Sequence, residues 1–173
     1  MFQQTINSTI AAGIPGELAF DGPLRATPGF IDAAAVAANC VLGRYFTKNR
    51  VSGFYGPGGD TGTNVDLILG GIAGTPKEQI AYGTLGAPLA PSLAVKPGSL
   101  VTFFEMGMVW VRLAAPCKQG DIAVYTIATG VISTVPPESI GTLPVTQLRV
   151  PNAVVYRVAA DAAGDVACIK LTN

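Results

Sequence analysis

From Cys40 to Leu171 the apolar residues of this chain come in short runs rich in Val, Ile and aromatic side chains, and each run soon meets Gly, Pro, Asn or Asp. No long segment keeps the roughly 3.6-residue apolar period that a helix needs to present one face to a core. Twenty-one glycines and 13 prolines among 173 residues make turns frequent. Together these features predict an all-β domain, a β-barrel or β-sandwich, over residues 38–173. Expected strands lie at 41–46, 51–55, 65–72, 100–104, 108–113, 122–127, 153–159 and 166–171, with a Gly-rich loop at 56–63. Strand side chains alternate between faces. Val109, Val111 and Leu113 therefore share one face, opposite Trp110 and Arg112. Val154, Tyr156 and Val158 share another, opposite Val155 and Arg157. We expect the first set of each pair to be core.

The first 37 residues read differently, as an extended N-terminal arm. Apolar side chains stand singly at Phe2, Ile6, Ile10, Ile14, Leu18, Phe20, Leu24 and Phe30. Between them lie Gly13, Pro15, Gly16, Gly22, Pro23, Pro28 and Gly29. The spacing of Ile6, Ile10, Ile14 and Leu18 suggests a helix, but Gly13, Pro15 and Gly16 interrupt it, because proline loses its donor and clashes with the preceding turn. Such an arm cannot make its own core. It needs a groove on its own domain or on a neighbour. Asp32 suits the N-cap of a short helix over residues 33–38, with a plain loop as the alternative.

Composition narrows the function. Charged residues are 13% against 49% hydrophobic, which favours burial in an assembly. Eleven basic residues balance 11 acidic ones with no basic run, so no nucleic-acid partner is expected. Near-zero net charge also removes the repulsion that keeps copies apart. The absence of His excludes Ser-His-Asp and Cys-His catalysis and the commonest zinc ligand. No apolar run approaches the roughly 18 residues of a spanning helix, and residues 1–17 lack a basic, apolar signal pattern, so neither a membrane nor export is expected.

Several motifs partly match known sites. Asp60, Asn64 and Asp66 could supply oxygens to Ca²⁺, but the EF-hand spacing and its final Glu are absent, leaving a solvated turn. Gly56-Pro57-Gly58-Gly59 lacks the Gly-Lys-Ser/Thr of a phosphate loop. Nothing in the spacing pairs Glu105, Asp121 or Glu138 for glycoside hydrolysis, and Ser92, Ser99 and Lys96 form no persuasive dyad. Trp110 reads as a core or interface aromatic before a stacking platform. The residues imply no enzyme, cofactor or metal.

Phe2-Gln3-Gln4-Thr5, then Ala12-Gly13-Ile14-Pro15-Gly16-Glu17-Leu18-Ala19, then Gly22-Pro23-Leu24-Arg25-Ala26, resembles the N-terminus of tailed-phage structural cement (capsid decoration) proteins. Compatible features follow at Val41-Leu42-Gly43-Arg44, Trp110-Val111 and Lys118-Gln119-Gly120-Asp121. The resemblance implies a decoration subunit without catalytic residues, made in the host cytoplasm and carried on the outer surface of the virion capsid. Its partners would be the major capsid protein, whose subunits it bridges, and neighbouring copies of itself. On that reading Phe2, Ile6, Ile10, Ile14, Pro15, Leu18, Phe20, Arg25 and Phe30 are the interface residues. A phage fibre, baseplate or spike domain binding a host receptor or glycan is the alternative.

Cys40, Cys117 and Cys168 are far apart, odd in number and match no metal spacing. Alkylation followed by intact-mass measurement without reductant should therefore count three free thiols. A stable bridge between any two would refute this.

Overall fold

The computed structural model describes residues 13–74, 93–158 and 165–172. Within them the chain forms β1 (Arg25–Phe30), β2 (Tyr45–Asn49), β3 (Tyr55–Pro57), β4 (Leu67–Gly74), β5 (Leu100–Arg112), β6 (Ile122–Thr126), β7 (Ile132–Val135), β8 (Gln147–Val158) and β9 (Val166–Leu171). The fold is all-β. These strands make one nine-stranded sheet in the order β3-β2-β4-β5-β9-β8-β6-β7, with β1 added to β5. Every ladder is antiparallel, and the path does not close on itself.

The two runs expected at 100–104 and 108–113 are one strand. Gly107, at φ 131°, lets β5 bend without stopping. The bend also divides its partners. On one edge β4 pairs with Thr102–Phe104, and β9 takes over at Gly107–Arg112. The sheet therefore splits into two halves that share β5. They meet again at the far side, where the Tyr45 N–H donates to the Gly130 carbonyl at 2.9 Å and the Gly59 N–H to that of Ile127 at 2.7 Å.

The core has two clusters, the first of which draws on both halves. One gathers Tyr45, Val109, Val111, Tyr125, Val155 and Ile169; the other gathers Ile31, Phe46, Tyr55, Val101 and Phe103. Tyr55 stacks flat on Phe103 with centroids 3.9 Å apart, and Tyr45 leans on Tyr125 at 4.4 Å. Burial holds the Tyr45 phenol far above the usual tyrosine range, so it stays neutral. Burial likewise raises the Cys168 thiol to about 11. Cys40 and Cys168 are buried and Cys117 is half-buried, and none of the three is in a disulfide among the described residues.

Val109, Val111 and Leu113 are buried as expected. The other expected face is inverted. Ala153 and Val155 point into the core, and Tyr156 is 44% exposed. The cause lies upstream, where Asn152 takes a left-handed φ of 47° and the pairing of β6 with β8 jumps between Ile122–Val154 and Val124–Arg149. Such a bulge changes which parity faces inward, so alternation read from residue 153 onward has no fixed origin. The side chain of Val158 lies outside the described residues.

Other boundaries moved for local reasons. The run expected at 51–55 is mostly turn, because the Asn49 side chain accepts from the Val51 and Ser52 N–H groups and Gly53 sits at φ 77°. Asp32 caps a single turn through the Ala34 N–H at 2.9 Å, and the stretch after it turns helical at Ala37–Asn39, as 3₁₀. Two strands were not foreseen. β7 is short. β1 contains Pro28-Gly29, which reads as a break, yet an edge strand tolerates a proline.

Val155→Asp should abolish the cooperative melt, since an unpaired charge would enter an apolar core. Tyr156→Asp should leave the protein soluble and folded. Calorimetry on both variants distinguishes this face assignment from its inverse.

Candidate functional site

Among the described residues no group of three or more His, Cys, Asp or Glu side chains could hold a metal. Asp60 is occupied with its own turn, accepting from the Thr63 hydroxyl at 2.7 Å and the Gly62 N–H at 2.9 Å; these bonds hold its carboxyl below the usual range. The Asp121 carboxylate accepts from the Lys118 N–H at 2.8 Å. Glu105 has a different duty, described below.

What the fold does build is a long edge. Residues 16–30 run antiparallel beside β5, opposite the edge used by β4 and β9. The Gly16 N–H donates to the Trp110 carbonyl at 2.8 Å, the Trp110 N–H to that of Glu17 at 2.9 Å, and the Ala19 N–H to that of Met108 at 2.7 Å. The ladder resumes at Arg25–Met106 and continues to Phe30–Leu100. Between them, residues 20–24 leave the ladder. Glu105 clamps the resumption: one carboxylate oxygen accepts from Arg25 Nε at 2.9 Å, the other from the Thr27 hydroxyl at 2.8 Å. With the Arg25 side chain 49% exposed, this pair contributes little more than register.

The expected interface residues fall in three groups. Phe2, Ile6 and Ile10 lie outside the described residues. Pro15 is buried against Gly43, whose φ of 79° and closeness to the proline leave no room for a side chain. Ile14, Leu18, Phe20, Arg25 and Phe30 are exposed. Leu18 and Leu24 lie over Gly107, and Phe20 approaches Trp110 at 6.4 Å and Tyr156 at 6.2 Å, edge-on to the latter. Gly13 rests on the indole so closely that any Cβ would overlap the ring. Phe30 stands apart, opposite Leu100, with both about half exposed.

Sequence reading missed the floor of this face, Met106, Met108 and Tyr156. The even-numbered alternation of β5 points to the methionines, as it does to Trp110. Tyr156 had no usable signal, since the bulge reverses its strand. The groove between Phe20, Pro23, Met106 and Met108 is about 190 Å³, and the more open depression beside it, between Phe20, Met108, Gln119 and Tyr156, is about 570 Å³.

A family of known proteins shares this sequence pattern. Residues 2–172 match the family described as Structural cement protein (E217 gp24/Pam3 gp6). The chain belongs to this phage structural cement family. No curated protein matches it. The fold is shared with a chain of the solved structure "The capsid of Myoviridae Phage XM1", at a TM-score of 0.62 and 15% identity, over 99% of this chain and 98% of that one. The chain is thus a capsid cement, a structural protein of the phage virion, and its family points to a non-enzymatic role. Neither comparison supports a fibre or receptor-binding domain.

The cement protein has a single tryptophan, so its fluorescence reports this face alone. Gly13→Val and Phe20→Ala should red-shift Trp110 emission and increase acrylamide quenching while leaving the melt cooperative. Unchanged emission in both would show that the segment does not cover the ring.

Proposed function

We propose that this chain binds the outer face of the phage head, where it bridges major capsid subunits, meets neighbouring copies of itself and stabilises the shell. The observation that carries the reading is the N-terminal segment: residues 16–19 and 25–30 are held by backbone bonds along β5, yet Ile14, Leu18, Phe20, Leu24 and Phe30 still face solvent. In a chain with few charges, such side chains are the surface an assembly would cover. Phe2, Ile6 and Ile10 extend the same set of anchors, with Pro15 fixing where the segment turns onto its own domain and Arg25 holding it in register.

The energetics favour this use. Fixing a flexible segment costs roughly 1–2 kcal/mol per residue. Here residues 16–19 and 25–30 are already paired with their own β5, so association meets less of that cost. Each large apolar side chain fully buried by the shell contributes about 1.5–3 kcal/mol. A protein that binds the assembled lattice and not its free subunits shifts the equilibrium toward the lattice by mass action.

Co-sedimentation with heads lacking their native decoration tests this. The full chain should bind and raise the temperature at which heads rupture. Deleting residues 1–12 removes no described pairing, so the variant should keep its melting temperature and bind heads at least about tenfold more weakly. Equal binding would remove Phe2, Ile6 and Ile10 from the interface. No binding by the intact chain would overturn the function.

A further inference from the structure

We infer that the face around Phe20, Trp110 and Tyr156 is where two copies of this chain meet about a two-fold axis; this rests on the cement reading and names one of its contacts. The face is apolar at its centre and charged at its rim. Phe20 and Tyr156, 40% and 44% exposed, stand edge to face at 6.2 Å over Met108. Asp21 follows Phe20 in the chain and Arg157 follows Tyr156; both are exposed, and all four line this depression with Met108 and Gln119. Arg25–Glu105 is the ion pair among the described residues, so neither Asp21 nor Arg157 has an ionic partner there.

A two-fold contact must be self-complementary: whatever residue i meets on residue j, j meets on i. This patch satisfies that condition. An axis passing between Phe20 and Tyr156 lays Phe20 of one copy on Tyr156 of the other. It also brings Asp21 of each copy to Arg157 of the second, twice over. A like-charged rim would have opposed self-contact, and an acidic or basic rim would have called for a partner of opposite sign. The zero net charge of the chain adds no long-range repulsion between copies.

The patch is small, so the pair should be weak in solution. Contacts at the low end of the specific range bury less than roughly 1,200 Å² in total. A dissociation constant of about 1–100 μM is expected, with exchange fast enough to sort copies during decoration. On a head, tethering beside a neighbour raises the effective concentration toward millimolar, well above that constant.

Sedimentation equilibrium of the intact protein, with Trp110 emission followed on dilution, tests the inference. Monomer and dimer should interconvert in the micromolar range, and emission should red-shift as dimers separate. Asp21→Arg and Arg157→Asp, each at an exposed position, should raise the dissociation constant at least about tenfold through like-charge contacts. The double variant restores opposite charges across the axis and should return to within about threefold of the native value. A strictly monomeric protein up to about 1 mM, or a double variant no better than the singles, overturns the inference. Head binding by the same variants separates the two claims. Heads that bind a strictly monomeric protein leave the cement reading standing and this contact refuted. Self-association rescued by the double variant, without head binding, supports the contact and refutes the cement reading.

Discussion

Every backbone donor and acceptor on β5 needs a partner, and the rest of the molecule is arranged to supply them. A strand of 13 residues through the middle of a sheet has two long edges. One is shared in succession by β4 and β9, which diverge where Gly107 bends the strand. The other is too long for any single neighbouring strand. The N-terminal segment fills it in two stretches, residues 16–19 and then β1, with residues 20–24 looping clear between them. Both core clusters depend on this arrangement, because β5 delivers Val109 and Val111 to one and Val101 and Phe103 to the other.

The same constraint produces the exposed face. The segment is paired along an edge at residues 16–19 and 25–30, and the loop between these stretches carries Phe20 and Leu24 over the strand. Here Leu18, Phe20 and Leu24 come to lie above Met106, Met108 and Trp110. This is a surface that an isolated soluble protein has little reason to keep. Low charge, an apolar outer face and a preordered edge agree with membership of a capsid cement family, in which stability is delivered to a lattice instead of to a reaction.

Much of this was legible in residues alone. Short β-branched runs and dense turns foretold an all-β fold. Three kinds of feature were not legible. Bulges such as that at Asn152 reverse alternation, so Val155 and Tyr156 exchanged faces. Pro28-Gly29 hid β1, since a ladder that forms between residues 25–30 and 100–106 leaves no local periodicity. The face itself joins Phe20, Trp110 and Tyr156, which are brought together only by β5, β9 and β8 lying side by side.

Local chemistry explains where that division falls. Strand propensity and turn residues are properties of neighbours along the chain, and they set the fold class. Which anchor is buried, which strand accepts the N-terminal segment and which aromatic rings meet are decided by long-range pairing. A one-residue change of register there turns an inward side chain outward, and no nearby residue records the change. Composition therefore determined that this chain had apolar surface to hide. Only the tertiary structure decided that Phe20, Trp110 and Tyr156 share one face, floored by β5.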